Sequence, residues 1–259
     1  MEVHAFYNVS CSTIDKGIAP DPKKVEAINN LDPPKNPSED RSLLGMFNYV
    51  GKFIPNLASK TQPFRNLITK DCKWNWTTKH QNIFDGLKKQ LSEAPNLVYY
   101  DATKVIHLYV DAGPQGLGAI LIQEKNGVTE TVAYGSRSLT ATEGRYSQIE
   151  KEMLAITWAM KHFHIYLFGV NFCLHTDHKP LVSILQNPKS NPSARIERLR
   201  LRIQAYTFIT HHQKGSSNPA DYISRHPTQH TVYEQAKAQA VEEQLLNLLQ
   251  RTASPKQYL

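Results

Sequence analysis

The fold is decided by residues 105–123, which read VIHLYVDAGPQGLGAILIQ. The first run is apolar apart from one histidine and ends at Asp111, which is typical of a strand. The turn-forming residues 112–116 follow it and lead into a second apolar run at 117–124. The glycines between the runs lie in a strand-to-strand turn with no helix after it, which argues against a phosphate-binding loop. The stretch therefore predicts a β-hairpin with an acidic residue at the end of its first strand.

Further strand-like runs continue this pattern along the chain, at residues 129–135, 170–177 and 207–213. A helix-like stretch that contains Glu152 interrupts the strands after the third run. Two more helix-like stretches separate the fourth run from the fifth, at about 180–187 and 194–205. Three strands joined by short turns, then strands that alternate with helices, indicate a mixed α/β sheet. We therefore expect an α/β fold with a mixed five-stranded sheet and flanking helices.

The first hundred residues have a different pattern and are predicted to be mostly helical. A strand-like piece at 1–15 precedes a helix that begins at Asp21-Pro22 and stops near the breaker Asp32-Pro33-Pro34. Ser38 is expected to cap a second helix. A third helix is expected from about Thr78 through Leu91, where the apolar spacing is helical.

The pattern changes near Ala94-Pro95, and this change divides the chain into predicted regions. Residues 1–94 form the mostly helical region and residues 95–226 form the α/β domain. Residues 227–259 carry one amphipathic stretch and are predicted to be a linker or helical tail.

Composition favours an acidic partner. The 259 residues include 30 Lys+Arg against 23 Asp+Glu, a net charge of +7, which suits nucleic acid. The three cysteines form no Cys-x-x-Cys pair and no zinc spacing, so we expect reduced thiols and an intracellular protein, either cytoplasmic or nuclear. No apolar run approaches the roughly 18 residues of a membrane span, so no membrane association is expected.

Four acidic residues stand in recognisable settings, two at strand ends and two in helix-like stretches: Asp111, Asp177, Glu152 and Asp221. Carboxylate oxygens are the ligands that Mg²⁺ and Mn²⁺ prefer. Taken singly, each residue has a simpler explanation as a turn, cap or surface acid. Their occurrence together, far apart in sequence, indicates a metal site for phosphodiester chemistry.

The helix around Glu152 offers a second acid, Glu150, and helical spacing separates the two. Apolar residues at a 4-3-4 spacing define the buried stripe of this helix: Ile149, Met153, Ile156 and Met160. Glu152 borders that stripe and is expected to point at the sheet. Glu150 is turned further away and is expected to be a solvated surface charge.

Several segments together resemble one family. They are residues 108–123, Tyr146-Ser147 with Glu150-Lys151-Glu152, residues 176–181, and Ala220-Asp221 with Ser224-Arg225. These segments resemble the motifs of the ribonuclease H domain in gypsy-type LTR retrotransposon polyproteins, over roughly 105–226. Upstream, Gly17-Ile18, Asn48-Tyr49 and Phe53-Ile54-Pro55 resemble the thumb and connection region of the same reverse transcriptases.

The resemblance implies a ribonuclease H-like fold, preceded by a small thumb and connection domain. It implies a nuclease that hydrolyses the RNA strand of RNA:DNA hybrids. Asp111, Glu152, Asp177 and Asp221 would bind two Mg²⁺ ions, with Mn²⁺ as a substitute, and Asp111 would bridge both ions. Two such ions activate a water and stabilise the leaving oxygen of an in-line displacement at phosphorus. Other domains of the Pol polyprotein are further expected partners.

Substrate contacts are expected from the stretch 194–205, where Arg195, Arg198 and Arg202 recur at helical spacing opposite an apolar stripe. A solvated basic face explains this spacing equally well, but beside a metal site it is typical of a phosphate clamp. Lys214 and His212 complete the predicted nucleic-acid contacts, and a packing or phosphate role is preferred to proton transfer for His212. A hybrid would be recognised by its backbone shape and its 2′-hydroxyls.

Two alternatives stay open. The sequence has no Tyr-x-Asp-Asp run, so no polymerase activity is expected from this chain alone. A truncated retroelement product of this kind can be catalytically silent and act only as a nucleic-acid-binding module. A recombinase of the same broad fold is less favoured, because such enzymes place their Glu last of three acids and here Glu152 comes second.

Overall fold

The computed structural model describes residues 11–14, 17–70, 72–187 and 189–213. Its strands are β1 (Cys11–Ile14), β2 (Gly17–Pro20), β3 (Leu97–Val98), β4 (Val105–Ala112), β5 (Gly116–Lys125), β6 (Val128–Ser138), β7 (Asn171–Thr176) and β8 (Thr207–His212). Its α-helices are α1 (Pro22–Asn29), α2 (Pro37–Tyr49), α3 (Leu57–Lys60), α4 (Gln62–Leu67), α5 (Thr78–Ser92), α6 (Gln148–His162), α7 (His164–Leu167), α8 (Lys179–Gln186) and α9 (Ala194–Leu201). Lys214, Asp221 and the tail 227–259 lie outside the described residues.

The N-terminal part is mostly helical, as predicted, and its caps explain where the helices begin. The Asp21 side chain accepts a hydrogen bond from the Lys23 amide, with Pro22 in the first turn of α1. The predicted cap of α2 was wrong by two residues. Asn36, not Ser38, is the cap, because its side chain accepts from the amides of Ser38 and Glu39 while Pro37 takes the first helical position.

Strand β1 lies within the strand-like piece expected at 1–15, but two other features of this part were not predicted. The short helices α3 and α4 are too brief to give an apolar period. Strands β1, β2 and β3 form a small antiparallel sheet, in which β3 comes from far along the chain to pair with β2. Such a pairing depends on tertiary packing and has no local signal.

The larger sheet has five strands in the order β6-β5-β4-β7-β8. Strands β4, β5 and β6 are antiparallel neighbours, whereas β4, β7 and β8 run parallel. This is the mixed five-stranded sheet expected from the sequence. The helix expected at 194–205 ends at Leu201, since the amides of Arg202 and Ile203 bond three residues back, to Leu199 and Arg200, and tighten the chain into a turn.

Strands β4 and β5 are largely buried on both faces, and alternate residues of β4 belong to different cores. Leu108 and Val110 join a cluster with α6, α8 and α9. Tyr109 joins Ile120 and residues of α1, α2 and α5 on the opposite face. The helical part of the chain thus lies over one face of the sheet, and α6, α8 and α9 lie over the other. None of the described helices has the length and apolarity needed to cross a bilayer.

Candidate active site

Asp111 and Asp177 lie at the same edge of the sheet. Asp111 is the next-to-last residue of β4, and Asp177 directly follows β7. The two strands are parallel and paired with Tyr109 opposite His175, so the two aspartates come two residues further along at matching levels. The carboxyl ends of adjacent parallel strands are a common place for functional side chains.

Glu152 approaches this edge from α6. Its side chain is 2% exposed. Burial, followed by the negative charges of Asp177 and Asp111, raises the pKa of Glu152 to about 8. The structure thus brings Asp111 and Asp177 close enough to Glu152 for their charges to act on it, so three of the four predicted acids lie together. The fourth, Asp221, lies outside the described residues.

Glu150 differs from the prediction. Its side chain is only 14% exposed, and Arg195 Nη1 donates to its Oε1 at 2.8 Å. It also closes a capping box at the start of α6, where the Ser147 amide donates to Glu150 Oε2 at 3.0 Å. Burial opposes ionisation, but the hydrogen bonds from Ser147 and Arg195 prevail and lower the pKa of Glu150. The expected solvated charge is therefore a paired one, because the helix period does not reveal capping or a distant arginine.

Gln148 is a site residue that sequence reasoning missed. Its Nε2 donates to Glu152 Oε1 at 2.7 Å and to the Ala112 carbonyl oxygen at 3.0 Å. One amide therefore ties the acid on α6 to the end of β4. The spacing of four residues between Gln148 and Glu152 was a visible signal for the first bond. The second bond, across the sheet edge, had none.

His212 is placed beside Asp177. Its Nε2 donates to the Asp177 carbonyl oxygen at 3.1 Å, and the Gln213 amide donates to the Thr176 carbonyl oxygen at 2.9 Å. These bonds join the end of β8 to the residues that carry Asp177. His212 thus supports the backbone of the site, and its side chain is exposed.

Aromatic rings stack next to the site, on the same face of the sheet as Tyr109. His175 stacks on Tyr109 at 4.2 Å between ring centroids, and its Nε2 lies 2.9 Å from His107 Nδ1. Burial, then the neighbouring His107 and His211, lowers the pKa of His175 to about 3. His175 is therefore neutral near pH 7 and adds no positive charge beside the carboxylates.

The predicted basic residues of α9 divide into two kinds. Arg195 lies near the start of α6, where it pairs with Glu150 and stacks over the Tyr146 ring at 4.1 Å from the centroid. Arg198 and Arg202 are exposed, and neither forms an ion pair within the described part of the chain. Lys214 lies outside the described residues. The apolar stripe beneath them is buried, as expected, at Ile196, Leu199 and Ile203.

The donor set suits a hard divalent cation. Oε2 of Glu152 is buried and has no hydrogen-bond partner, which is costly unless another group completes it. All three acids offer carboxylate oxygens, the ligands of Mg²⁺ and Mn²⁺. Across residues 11–14, 17–70, 72–187 and 189–213, however, no three His, Cys, Asp or Glu side chains are close enough to ligate one ion. The charge and chemistry of the acids fit a cation, although their positions do not form a finished coordination shell.

Comparison with known proteins identifies the domain. Residues 101–206 match a family described as the RNase H-like domain found in reverse transcriptase. The Pol polyprotein of transposon 412 from Drosophila melanogaster is 38% identical over 212 residues, covering 82% of this chain and 17% of that protein. Transposon 297 of the same organism is 38% identical over 245 residues, covering 93% and 22%. The Tf2-3 polyprotein of Schizosaccharomyces pombe is 34% identical over 215 residues, covering 82% and 16%. The chain thus spans less than a quarter of each relative.

Solved structures agree on the fold. A foamy viral protease-reverse transcriptase in complex with double-stranded DNA has a TM-score of 0.65 at 20% identity, covering 80% of this chain and 37% of that one. The same kind of protein in complex with an RNA/DNA hybrid has a TM-score of 0.64 at 20% identity, covering 78% and 28%. The ribonuclease H-like fold expected from the sequence is confirmed.

Proposed function

Because this chain is a relative of retrotransposon Pol polyproteins and carries their RNase H-like domain, we propose that it hydrolyses the RNA strand of RNA:DNA hybrids. The activity would be the ribonuclease H step of a reverse transcriptase. The observation that carries the proposal is geometric: Asp111 and Asp177 stand at matching levels at the ends of adjacent parallel strands, and Glu152 is buried beside them with no hydrogen-bond partner for its Oε2. Burial and the charges of Asp177 and Asp111 raise the pKa of Glu152 accordingly. Acids held together at such a cost are typical of functional sites.

The proposed cofactor is Mg²⁺, with Mn²⁺ as a substitute, held by Asp111, Glu152 and Asp177. When bound, the divalent ions supply an activated water and charge stabilisation for the leaving oxygen. Gln148 holds Oε1 of Glu152 by its 2.7 Å hydrogen bond, which leaves Oε2 available as a ligand. His212 supports Asp177 through the backbone, so two of the three acids have a neighbour that fixes their position. Asp221 remains the predicted fourth ligand.

The proposed substrate is nucleic acid, bound by the arginines of α9 and of its C-cap. Arg195 stands at the end of α9 nearest the start of α6, and Arg198 and Arg202 extend the positive charge away from the acids. The foamy viral relatives of this fold were solved with double-stranded DNA and with an RNA/DNA hybrid. Arginine contacts to phosphates give affinity without base specificity, which suits a nuclease that follows a hybrid of any sequence. Other segments of a Pol polyprotein are the proposed protein partners.

The experiment is a cleavage assay on the purified full chain, using a hybrid with a labelled RNA strand and Mg²⁺. Asp111→Asn and Glu152→Gln are expected to lower the cleavage rate at least about 100-fold, equivalent to ~3 kcal/mol of transition-state stabilisation. Asp85→Asn, which changes an exposed acid on α5, is the matched control. A wild-type chain that binds the hybrid tightly without cutting it would instead support the silent binding module. Cleavage that survives Asp111→Asn unchanged would end the proposal.

A further inference from the structure

Asn56, in the helical part of the chain, has an unusual backbone. It precedes α3 with φ 51 and ψ 33, in the left-handed region that non-glycine residues rarely adopt. Among the described non-glycine residues, Asn126 at φ 53 is the other with positive φ. Left-handed residues persist where their surroundings hold them, and they occur often at functional positions. Asn126 lies in the exposed turn between β5 and β6, whereas Asn56 is half-buried against the sheet.

The Asn56 side chain lies directly over Gly118 of β5. A Cβ atom added at Gly118 would stand 3.2 Å from Asn56 Cγ and 3.8 Å from its Nδ2, and would collide with its Oδ1. Gly118 is the cross-strand partner of Asp111. Since directly paired residues point to the same face of a sheet, Asn56 packs on the face that Asp111 occupies.

The residues after Asn56 contact the same region of the sheet. The Ala58 amide donates to Ser136 Oγ at 2.8 Å, and Ser136 is the partner of Gly118 on β6. Asp111, Gly118 and Ser136 therefore form one row across three strands, and the start of α3 lies along it. Ser59 Oγ also lies close to β5, because a Cβ atom added at Gly116 would stand 3.1 Å from it.

We propose that Asn56 is a positioning residue for the nuclease centre, a role that rests on the function proposed above. By packing on Gly118 it fixes the strand beside Asp111, and so the direction in which the Asp111 carboxylate meets a metal ion. The helical part of the chain thereby belongs to the active centre. If α3 served only to pack the helical part of the chain against the sheet, removing the Asn56 side chain would change the stability of the protein. The dependence of cleavage on Mg²⁺ would then stay the same.

The test uses Asn56→Gly in the full chain, with Asn126→Gly as the matched control. Glycine adopts positive φ without strain, so Asn56→Gly removes the side chain and keeps the backbone. We expect a melting temperature like that of the wild type, an unchanged Kd for the hybrid, and a kcat about tenfold lower, with weaker Mg²⁺ binding by isothermal titration calorimetry. Asn126→Gly should behave as the wild type in every measurement.

A second variant keeps the inference testable if Asn56→Gly does not fold. Asn56→Asp keeps the size of the side chain and tolerates the left-handed backbone, while it adds a negative charge beside the row that holds Asp111. It is expected to change the Mg²⁺ concentration at half-maximal rate several-fold. If the wild type cleaves and both variants match it in kcat and Mg²⁺ affinity, the inference on Asn56 is wrong and the proposed function stands. If the wild type neither binds Mg²⁺ nor cleaves, both fall.

Discussion

Two buried acids, Glu152 and Asp40, show what a carboxylate costs in this protein. Both are at most 2% exposed, and both have an oxygen without a hydrogen-bond partner. Glu152 lies near Asp111 and Asp177 and accepts a hydrogen bond from Gln148, an environment that is typical of a metal ligand. Asp40 lies in the first turn of α2, three and four residues before Leu43 and Leu44, where the helix dipole favours an acid but neither carboxylate oxygen has a hydrogen-bond partner.

Gln148 should matter for metal binding more than for folding. Gln148→Ala removes the amide that bridges Glu152 and Ala112, so Glu152 loses its fixed orientation. Loss of such a partner typically costs about 10- to 100-fold in metal affinity or activity. We expect Mg²⁺ affinity measured by calorimetry to fall in that range. Gln62→Ala, which removes an exposed side-chain amide bonded to Asn66, is the control. Equal Mg²⁺ affinity in the two variants would show that the bridge has no role.

Asp40 should make stability fall as the pH rises. Burial raises the pKa of Asp40 from 3.8 to about 6, partly offset by Arg41. The folded state therefore binds the proton more tightly than the unfolded state, so stability is lost between about pH 4 and pH 6 and the loss persists above. The shift corresponds to about 3 kcal/mol at pH 8.

Asp40→Asn removes that charge, so urea unfolding at pH 8 should show it to be more stable than the wild type. The advantage should shrink on acidification towards pH 4. Asp32→Asn, at an exposed loop position, should differ from the wild type by less than about 0.5 kcal/mol at either pH. An advantage of Asp40→Asn that is the same at both pH values would contradict the assigned cause.

At the level of elements, the contact between α3 and β5 predicts a suppressor pair. Gly118→Ala places a methyl group against Asn56, so it should lower the free energy of unfolding by about 1–3 kcal/mol. In the Asn56→Gly background the obstacle is gone, and the same substitution should cost much less. The measurement is urea unfolding of the four proteins of the cycle. Additive effects of the two substitutions would mean that these side chains do not meet.

Helix α9 and its C-cap should contribute to hybrid binding through the two exposed arginines Arg198 and Arg202. If Arg198 and Arg202 contact phosphates, changing either to Ala should reduce the slope of log K against log salt by about 1. Lys125→Ala, which removes an exposed charge at the last residue of β5, should leave the slope unchanged. Slopes equal to that of the wild type in both arginine variants would remove α9 from the interface.

The sequence predicted the long elements well, for physical reasons. Strands β4 to β8 carry enough apolar residues between turn signals to be recognised, and α5 and α6 run for several helical turns. The short helices α3 and α4, the Asn36 cap and the pairing of Glu150 with Arg195 depend on a few bonds or on residues far apart in sequence. Asp111 and Asp177 stand at strand ends and Glu152 on a helix, as expected, because β4, β7 and α6 are long enough to be recognised from the sequence. The bond from Gln148 to Ala112 and the contact of Asn56 with Gly118 had no sequence signal, because each crosses between elements.

On the scale of the whole molecule, the two parts of the chain share a core. Tyr109, Ile120, Ile122 and Tyr134 of the sheet pack against helices from the first hundred residues. The boundary at residues 94 and 95 stays a prediction. These contacts nevertheless mean that the stability of the sheet depends on the helical part that covers one of its faces, called the cover below. Periodicity located each part, and it carried no information on how one would lie over the other.

Removing the cover should therefore destabilise the sheet. A chain of residues 95–259 exposes those four side chains, and each large apolar side chain taken out of a core costs about 1.5–3 kcal/mol. We expect it to bind an apolar dye and to unfold at lower urea than the full chain. A chain without residues 1–10 keeps every described residue and is the control. If residues 95–259 unfold at the same urea concentration as the full chain, the two parts do not share a core.

We propose that Asp111, Glu152 and Asp177 form a single site for divalent cations. Paramagnetic broadening by Mn²⁺ tests it most directly, with backbone amide signals of the full chain followed by NMR. We expect the signals of these three residues and of their neighbours to broaden first, to recover with EDTA, and to resist broadening in Asp111→Asn. Broadening that is centred elsewhere, or that is the same in Asp111→Asn, would contradict the account.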